Sequence, residues 1–494
     1  MLKFVFDWDD GYKMGIVQSD YLDNLREAFS VEDKQASMAR FRQAGKYTSI
    51  RKYAITPNGR FGVGVFPEIY KYLQTLTIPY QCIVTEKFKS NFAPAFVTDT
   101  ESYELNELDI PYRPYQSECI KKCLKYGNGV VVVGTAGGKT LIMAGLIHNI
   151  PILDRGRVLI ITIPQLVNQT YQDFRDYGIH RTSTIARWSG DNEYSFTADI
   201  VIASNTILMS KKQDITVLNQ FNVIMNDECH KARAGNQINK VLKKCTTRHK
   251  YGFTGSLPES KIDTWNIAGQ FGPIVYEKSG DELRQMGYIA PASAVILKIN
   301  YKNPPVYLCT PSISDPLGMY NEECDFLYKH SFRNRIIGTL CKNIDKNTLI
   351  LVDRLEHQQT LIDEIKILAP HKNVQFVRGE VEDEVRDEIK HLMEKNNNVV
   401  CIAMAAIFAT GINIKNLHNL IFAMPGKAKI RILQSIGRGL RLHEHKTKLT
   451  IFDIADVLYY GSRHLEHRLE LYEEENINYA IKEIYEKEDS QTST

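Results

Sequence analysis

The sequence predicts an α/β fold: two doubly wound parallel-sheet domains in tandem, preceded by a small α+β N-terminal domain. Short β-branched runs alternate with amphipathic stretches through most of the chain, the pattern of repeated strand–helix units. Most of these runs are predominantly apolar, as strands covered by helices on both faces must be. The pattern also occurs twice. The first set is GVVVV (129–133), RVLIITI (157–163), DIVIA (199–203), FNVIM (221–225) and KYGFT (250–254). The second is TLILV (348–352), NVQFV (373–377), VVCIA (399–403), NLIFA (419–423) and LTIFD (449–453). Between them, residues 280–325 carry the proline-bearing stretches YIAPA and NPPVY and read as a hinge and connecting segment. The expected boundaries are an accessory domain at 1–105, α/β domains at 106–285 and 286–465, and an acidic helix with a frayed tail at 466–494.

A chain of 494 residues with 43% hydrophobic content can build about three cores. Lys and Arg (61) nearly balance Asp and Glu (58), so a polyanionic partner has to be argued from local patches. The nine cysteines form no CxxC pair, which argues for a reducing compartment and against a disulfide frame or zinc site. The opening MLKFVFDWDD has no apolar signal core and the later apolar runs are short, so the expectation is a cytoplasmic protein with no membrane partner.

Chemistry concentrates at strand ends. GVVVV runs into GTAGGKT (134–140), a glycine-rich strand-to-helix turn ending in Lys-Thr. A nucleoside triphosphate needs inward-pointing backbone N–H groups, a cation on its outer phosphates and a hydroxyl for magnesium. Thr135, Ala136, Gly137 and Gly138 form the cradle, Lys139 supplies the charge and Thr140 the metal-binding hydroxyl. The strict GxxxxGK[ST] form is not met, because its first glycine falls at Val133; taken alone, the stretch is equally a structural turn.

The run FNVIM ends in NDECH (226–230). Adjacent acids at the carboxyl end of a buried strand suit Asp227 as a magnesium ligand and Glu228 as the group that orients the attacking water, with His230 as a relay. The plainer alternative is an acidic turn capping the next helix. In the second domain, QSIGRGLR (434–441) places Gln434, Arg438 and Arg441 on one helix face, where guanidinium groups can stabilise a transferring phosphoryl group; otherwise the stretch is a basic solvated helix.

GTAGGKT, DECH, TGS (254–256), ATGIN (409–413) and QSIGRGLR, in that order, resemble motifs I, II, III, V and VI of superfamily 2 helicases. YRPYQ (112–116) and IPQLVNQTYQDF (163–174) narrow the resemblance to the UvsW-type DNA helicases of tailed bacteriophages. The resemblance implies two RecA-like domains working on ATP and Mg2+, and a forked, junction or duplex DNA partner. It assigns Gln116 to the adenine edge with Arg113 or Tyr112 beside it, although Gln116 can equally cap its own helix. Thr254 and Ser256 would couple nucleotide state to DNA, and Gly411 and Asn413 would sense the nucleotide. Two departures stand out: Gly134 replaces a common proline, and ASNT (203–206) replaces the usual GT-type motif Ib.

Residues 40–71 interleave Arg40, Arg42, Lys46, Arg51, Lys52 and Arg60 with aromatic rings, a composition suited to phosphate contact and base stacking. An ordinary small β-rich domain fits the same stretch: PNGR (57–60) signals a hairpin turn, and about half of the aromatics should then be core. A monomer is expected, with protein partners unspecified. The alternatives are a restriction-type motor subunit, an RNA helicase, or a non-catalytic clamp that holds ATP as a structural ligand.

Overall fold

A computed structural model describes residues 1–33, 37, 49–134, 137–190, 194–195, 197–210, 215–231, 236–258, 260–288, 291–310, 316–377, 383–405, 416–425, 448–474 and 477–487. The chain divides into two compact units, one running to Lys278 apart from loop residues 135–137, the other from Ser279 onward.

The first unit opens with β1 (Leu2–Asp9), β2 (Met14–Gln18), β3 (Ser30–Glu32), β4 (Arg51–Tyr53), β5 (Arg60–Phe61) and β6 (Tyr80–Val84). Four of them form a mixed sheet in the order β5-β2-β1-β6, with β1 antiparallel to β2 and parallel to β6, while β3 and β4 form a separate ribbon. The PNGR stretch is the expected turn: Gly59 takes φ +75° and Ile55 pairs antiparallel with Phe61. Among the described aromatics of 40–71, Phe61 is fully buried among Phe6 and Phe88, and Tyr53 and Tyr70 are exposed; Phe41 and Tyr47 lie outside the described residues.

The first α/β sheet comprises β7 (Gly129–Val133), β8 (Val158–Thr162), β9 (Ile185–Trp188), β10 (Ile200–Ser204), β11 (Val223–Asp227), β12 (His249–Thr254) and β13 (Ile274–Lys278). All are parallel, in the order β13-β7-β12-β11-β8-β10-β9. Every residue of β7, β8 and β10 is buried, because helices cover both faces. The helix Lys261–Phe271 sends Trp265 into the N-terminal core, beside Phe29 at a ring separation of 5.7 Å. The N-terminal domain and the first α/β domain therefore share apolar packing.

The second unit holds β14 (Ala292–Asn300), β15 (Thr348–Val352), β16 (Asn373–Val377), β17 (Val399–Met404), β18 (Asn419–Phe422), β19 (Leu449–Asp456) and β20 (Asn478–Tyr485). This sheet is also fully parallel, in the order β16-β17-β15-β18-β19-β14-β20. Two expectations are corrected here. Residues 280–325 are not a connecting segment throughout: a capping box at Ser279 and Glu282 starts a helix at Gly280 just past the unit boundary, and from Ala292 the chain is β14, an interior strand of the second sheet. The prolines that suggested a linker sit at element starts, Pro291 just before β14 and Pro305 capping the helix Val306–Cys309. The acidic C-terminal stretch is not helical throughout either. Its helix, Tyr459–Glu474, gives way to edge strand β20, NYAIKEIY, most of which is exposed.

Candidate active site

The parallel sheet of the first α/β domain brings three of the sequence motifs side by side. β7 runs into the glycine-rich loop, β12 carries Thr254, and β11 carries Asp227; β12 pairs with both of the others, so all three motifs leave neighbouring strands at their carboxyl ends. Ligands of doubly wound sheets bind at that edge.

Gly138 takes φ +76° and is the N-cap of the helix Lys139–Asn149. A side chain there would be strained, and its Cβ would lie 2.5 Å from Gln116 Nε2, so glycine is favoured. Lys139 Nζ donates to the carbonyl of Val133 at 3.3 Å, which folds the lysine back over the loop. Thr140 sits in the first turn of the same helix, where backbone N–H groups and the helix dipole favour an anion.

At the end of β11, Asp227 Oδ1 accepts from the Glu228 backbone N–H at 3.1 Å. Glu228 itself holds φ +56°, a left-handed conformation that costs a non-glycine residue about 1–3 kcal/mol and is met mostly at functional sites. Burial pushes the Asp227 carboxyl up, the charge of Glu228 adds to this, and Lys139 offsets part of it. Burial acts on Glu228 in the same sense, but the His230 hydrogen bond and the charges of Lys139 and Lys231 outweigh it and hold Glu228 ionised. The pair is thus one ionised carboxylate beside one that takes a proton readily, a site short of positive charge. Asp227 and Thr140 both offer oxygen, the donor chemistry of a hard cation such as Mg2+ when phosphates and water complete its shell.

Buried His230 places Nδ1 3.2 Å from Glu228 Oε2 and 3.0 Å from Thr254 Oγ1. Thr254 Oγ1 donates onward to the Ser256 carbonyl at 2.8 Å. The structure therefore brings Lys139, Thr140, Asp227, Glu228, His230, Thr254 and Ser256 to the ends of neighbouring strands, with Gly137 and Gly138 leading into the Lys139–Asn149 helix.

Other candidates fall differently. Gln116 Oε1 accepts the Arg113 backbone N–H at 2.9 Å, so here Gln116 caps its own helix, Pro114–Tyr126, while its amide lies against the phosphate loop. Arg113 is that helix's N-cap residue, and the Tyr112 ring packs on Gly145 with its hydroxyl donating to Asn106 O at 3.0 Å. In the N-terminal domain each described basic candidate has an acidic partner: Arg51 with Glu27, Lys52 with Asp33 and Arg60 with Asp9. Thr135, Ala136, Arg40, Arg42, Lys46, Gly411, Asn413, Gln434, Arg438 and Arg441 lie outside the described residues. Sequence reading missed Trp265, which crosses between domains; the isolated Trp in the helix after TGS was the available signal.

Comparison with known proteins follows this geometry. The family described as "Type III restriction enzyme, res subunit" matches residues 109–259, and "Helicase conserved C-terminal domain" matches residues 331–443. The ATP-dependent DNA helicase uvsW of Enterobacteria phage T4 is 29% identical over 399 residues, covering 75% of this chain and 76% of that protein. The DNA 3'-5' helicase XPB of Kineococcus radiotolerans is 26% identical over 213 residues, covering 41% of this chain and 36% of that protein. Among solved structures, a fragment of an HsdR subunit of a type I restriction enzyme from Vibrio vulnificus aligns with a TM-score of 0.57 at 15% identity, covering 91% of this chain and 82% of that one. That likeness is one of fold.

Proposed function

We propose, from the premise that the chain belongs to the superfamily 2 helicases, that it is an ATP-driven DNA motor which unwinds or branch-migrates forked and junction DNA. The observation that carries this reading is the convergence of Lys139, the Asp227–Glu228–His230 turn and the Thr254–Ser256 turn at the carboxyl ends of neighbouring parallel strands.

In this reading Lys139 and the N-terminus of the helix Lys139–Asn149 take the outer phosphates of ATP. Thr140 and Asp227 hold Mg2+, which when bound neutralises charge on the phosphate oxygens. Glu228, kept ionised by His230, accepts a hydrogen bond from the attacking water and orients it. Arg438 and Arg441 are assigned the charge of the transferring phosphoryl group on sequence grounds. The relay from Glu228 through His230 to Thr254 and Ser256 links hydrolysis to the DNA-contacting surface, and sequence-independent phosphate contacts by the N-terminal basic residues suit a structure-specific substrate.

A second reading, a motor subunit of a restriction-type complex, draws on the res-subunit match and the HsdR likeness. Strand displacement on matched fork, four-way junction and linear duplex DNA, with and without ATP, separates the two. A branch-migrating helicase resolves fork and junction ATP-dependently and leaves the blunt linear duplex paired. Failure to displace any strand while hydrolysing ATP on linear duplex supports the restriction-type motor.

A further inference from the structure

The helix Lys261–Phe271 is tied to the candidate active site at both ends and to the N-terminal domain at its middle. At its start, Thr264 Oγ1 donates to the Pro258 carbonyl at 3.2 Å, two residues beyond the Thr254–Ser256 turn that His230 touches. At its end, Phe271 crowds Gly252 of β12 together with Cys229, the residue after Glu228. In between, Trp265 Nε1 donates to Glu68 Oε2 at 3.0 Å and its ring enters the N-terminal core, where it is only 6% exposed.

The contact beside Trp265 is made by backbone. A Cβ at Gly62 would lie 2.3 Å from Gly269 Cα, and one at Gly64 would lie 2.2 Å from the Ala268 carbonyl oxygen. No side chain separates the two segments, so no rotamer change can absorb a shift of the helix. Gly62 directly follows β5, which carries Arg60, one of the basic residues read as a DNA contact. A displacement of the helix therefore reaches that strand through rigid packing.

We propose that Trp265 and the Gly62–Gly269 seam are positioning residues that carry the state of the nucleotide site into the N-terminal domain, so that this domain moves on DNA with each ATP cycle. The inference rests on the reading of the strand-end cluster as an ATP site and of the N-terminal domain as a DNA contact. It makes the helix Lys261–Phe271 the two-position element that both sites bias.

The test uses full-length protein labelled with 5-fluorotryptophan. The chain has three tryptophans, Trp8, Trp188 and Trp265, and Trp265→Phe assigns the third resonance. Saturation with a non-hydrolysable ATP analogue and Mg2+ is expected to shift the Trp265 signal, and Thr254→Ala to abolish that shift with nucleotide still bound. An unmoved Trp265 signal in nucleotide-saturated wild type overturns the proposal. In parallel, Trp265→Phe and Gly62→Ala are expected to keep DNA-independent ATP turnover while base pairs opened per ATP fall about two- to thirtyfold. Unchanged opening per ATP in folded Trp265→Phe overturns it as well, whatever becomes of Gly62→Ala. If wild type binds and hydrolyses no ATP, the ATP-site reading falls and takes the inference with it.

Discussion

His230 Nδ1 stands 3.0 Å from Thr254 Oγ1, and this contact fixes the direction of a hydrogen-bond relay. The threonine's single proton goes to the Ser256 carbonyl at 2.8 Å, so its oxygen accepts from the imidazole. Nδ1 therefore carries a proton, shared between Thr254 and the Glu228 carboxylate 3.2 Å away. One imidazole N–H meets both the Glu228 carboxylate and the turn that follows β12.

Thr254→Val preserves shape and removes this link. It leaves the Ser256 carbonyl without that donor and is expected to cost about 1–3 kcal/mol of stability. ATP turnover in the absence of DNA should persist while its stimulation by fork DNA is lost. Urea denaturation and paired turnover assays check the two effects.

Arg333 and Asp456 form a fully buried ion pair in the second unit, with Arg333 Nε 2.9 Å and Nη2 3.2 Å from the carboxylate, Nη2 also donating to Ala423 O, and Tyr301 OH donating to Asp456. Removing one charge strands the other in a low-dielectric core. Arg333→Met is expected to cost about 3–5 kcal/mol, and Arg333→Met with Asp456→Asn to cost less than the sum of the single changes. A double-mutant cycle by urea unfolding gives the coupling.

His357 is buried beside Arg333, and both burial and that charge hold its pKa well below the usual imidazole value. The folded state thus excludes a proton that the unfolded state takes up below about pH 6.5. The stabilisation is complete above that pH and is lost as pH falls, with a slope of at most about 1.4 kcal/mol per pH unit. His249, depressed by burial, acts in the same direction. Melting temperatures between pH 8 and pH 5 should fall more steeply for wild type than for His357→Gln.

Much of the fold was legible because parallel strands buried on both faces are written as local apolar runs. TLILV coincides with buried β15 and GVVVV with buried β7 residue for residue, and NVQFV, whose polar and apolar residues alternate, coincides with the partly exposed edge strand β16. The residues of the proposed ATP site stand out for a related reason: a glycine-rich turn and an acidic strand end hold their residues within a few positions of each other. What escaped depends on distant partners. β14 was hidden behind Pro291, and β20 lies in a stretch that reads as helix, so its pairing with β14 shows only in the fold. The Trp265–Glu68 contact joins residues 197 apart, so no local pattern announces it. Gln116 had two readings, and only the geometry at Arg113 and Gly138 shows it capping its helix.

Lys52 is half-exposed and pairs with Asp33 at 2.8 Å, and Arg51 lies near Glu27 at 3.5 Å, so neither is essential to the core. If they meet phosphates, Arg51→Ala and Lys52→Ala should each weaken fork binding and reduce the slope of log affinity against log salt by about 0.9. Fluorescence anisotropy across a salt series measures this, and Arg40, Arg42 and Lys46 belong in the same panel.

The account stands on Glu228 as the residue that orients water for ATP cleavage, and ATP turnover by wild type and Glu228→Gln in the presence of fork DNA tests it most directly. The expected result is DNA-stimulated hydrolysis in wild type and a loss of about a hundred- to ten-thousandfold in the variant, with ATP binding retained. Equal rates in the two proteins, whether both high or both negligible, would contradict it.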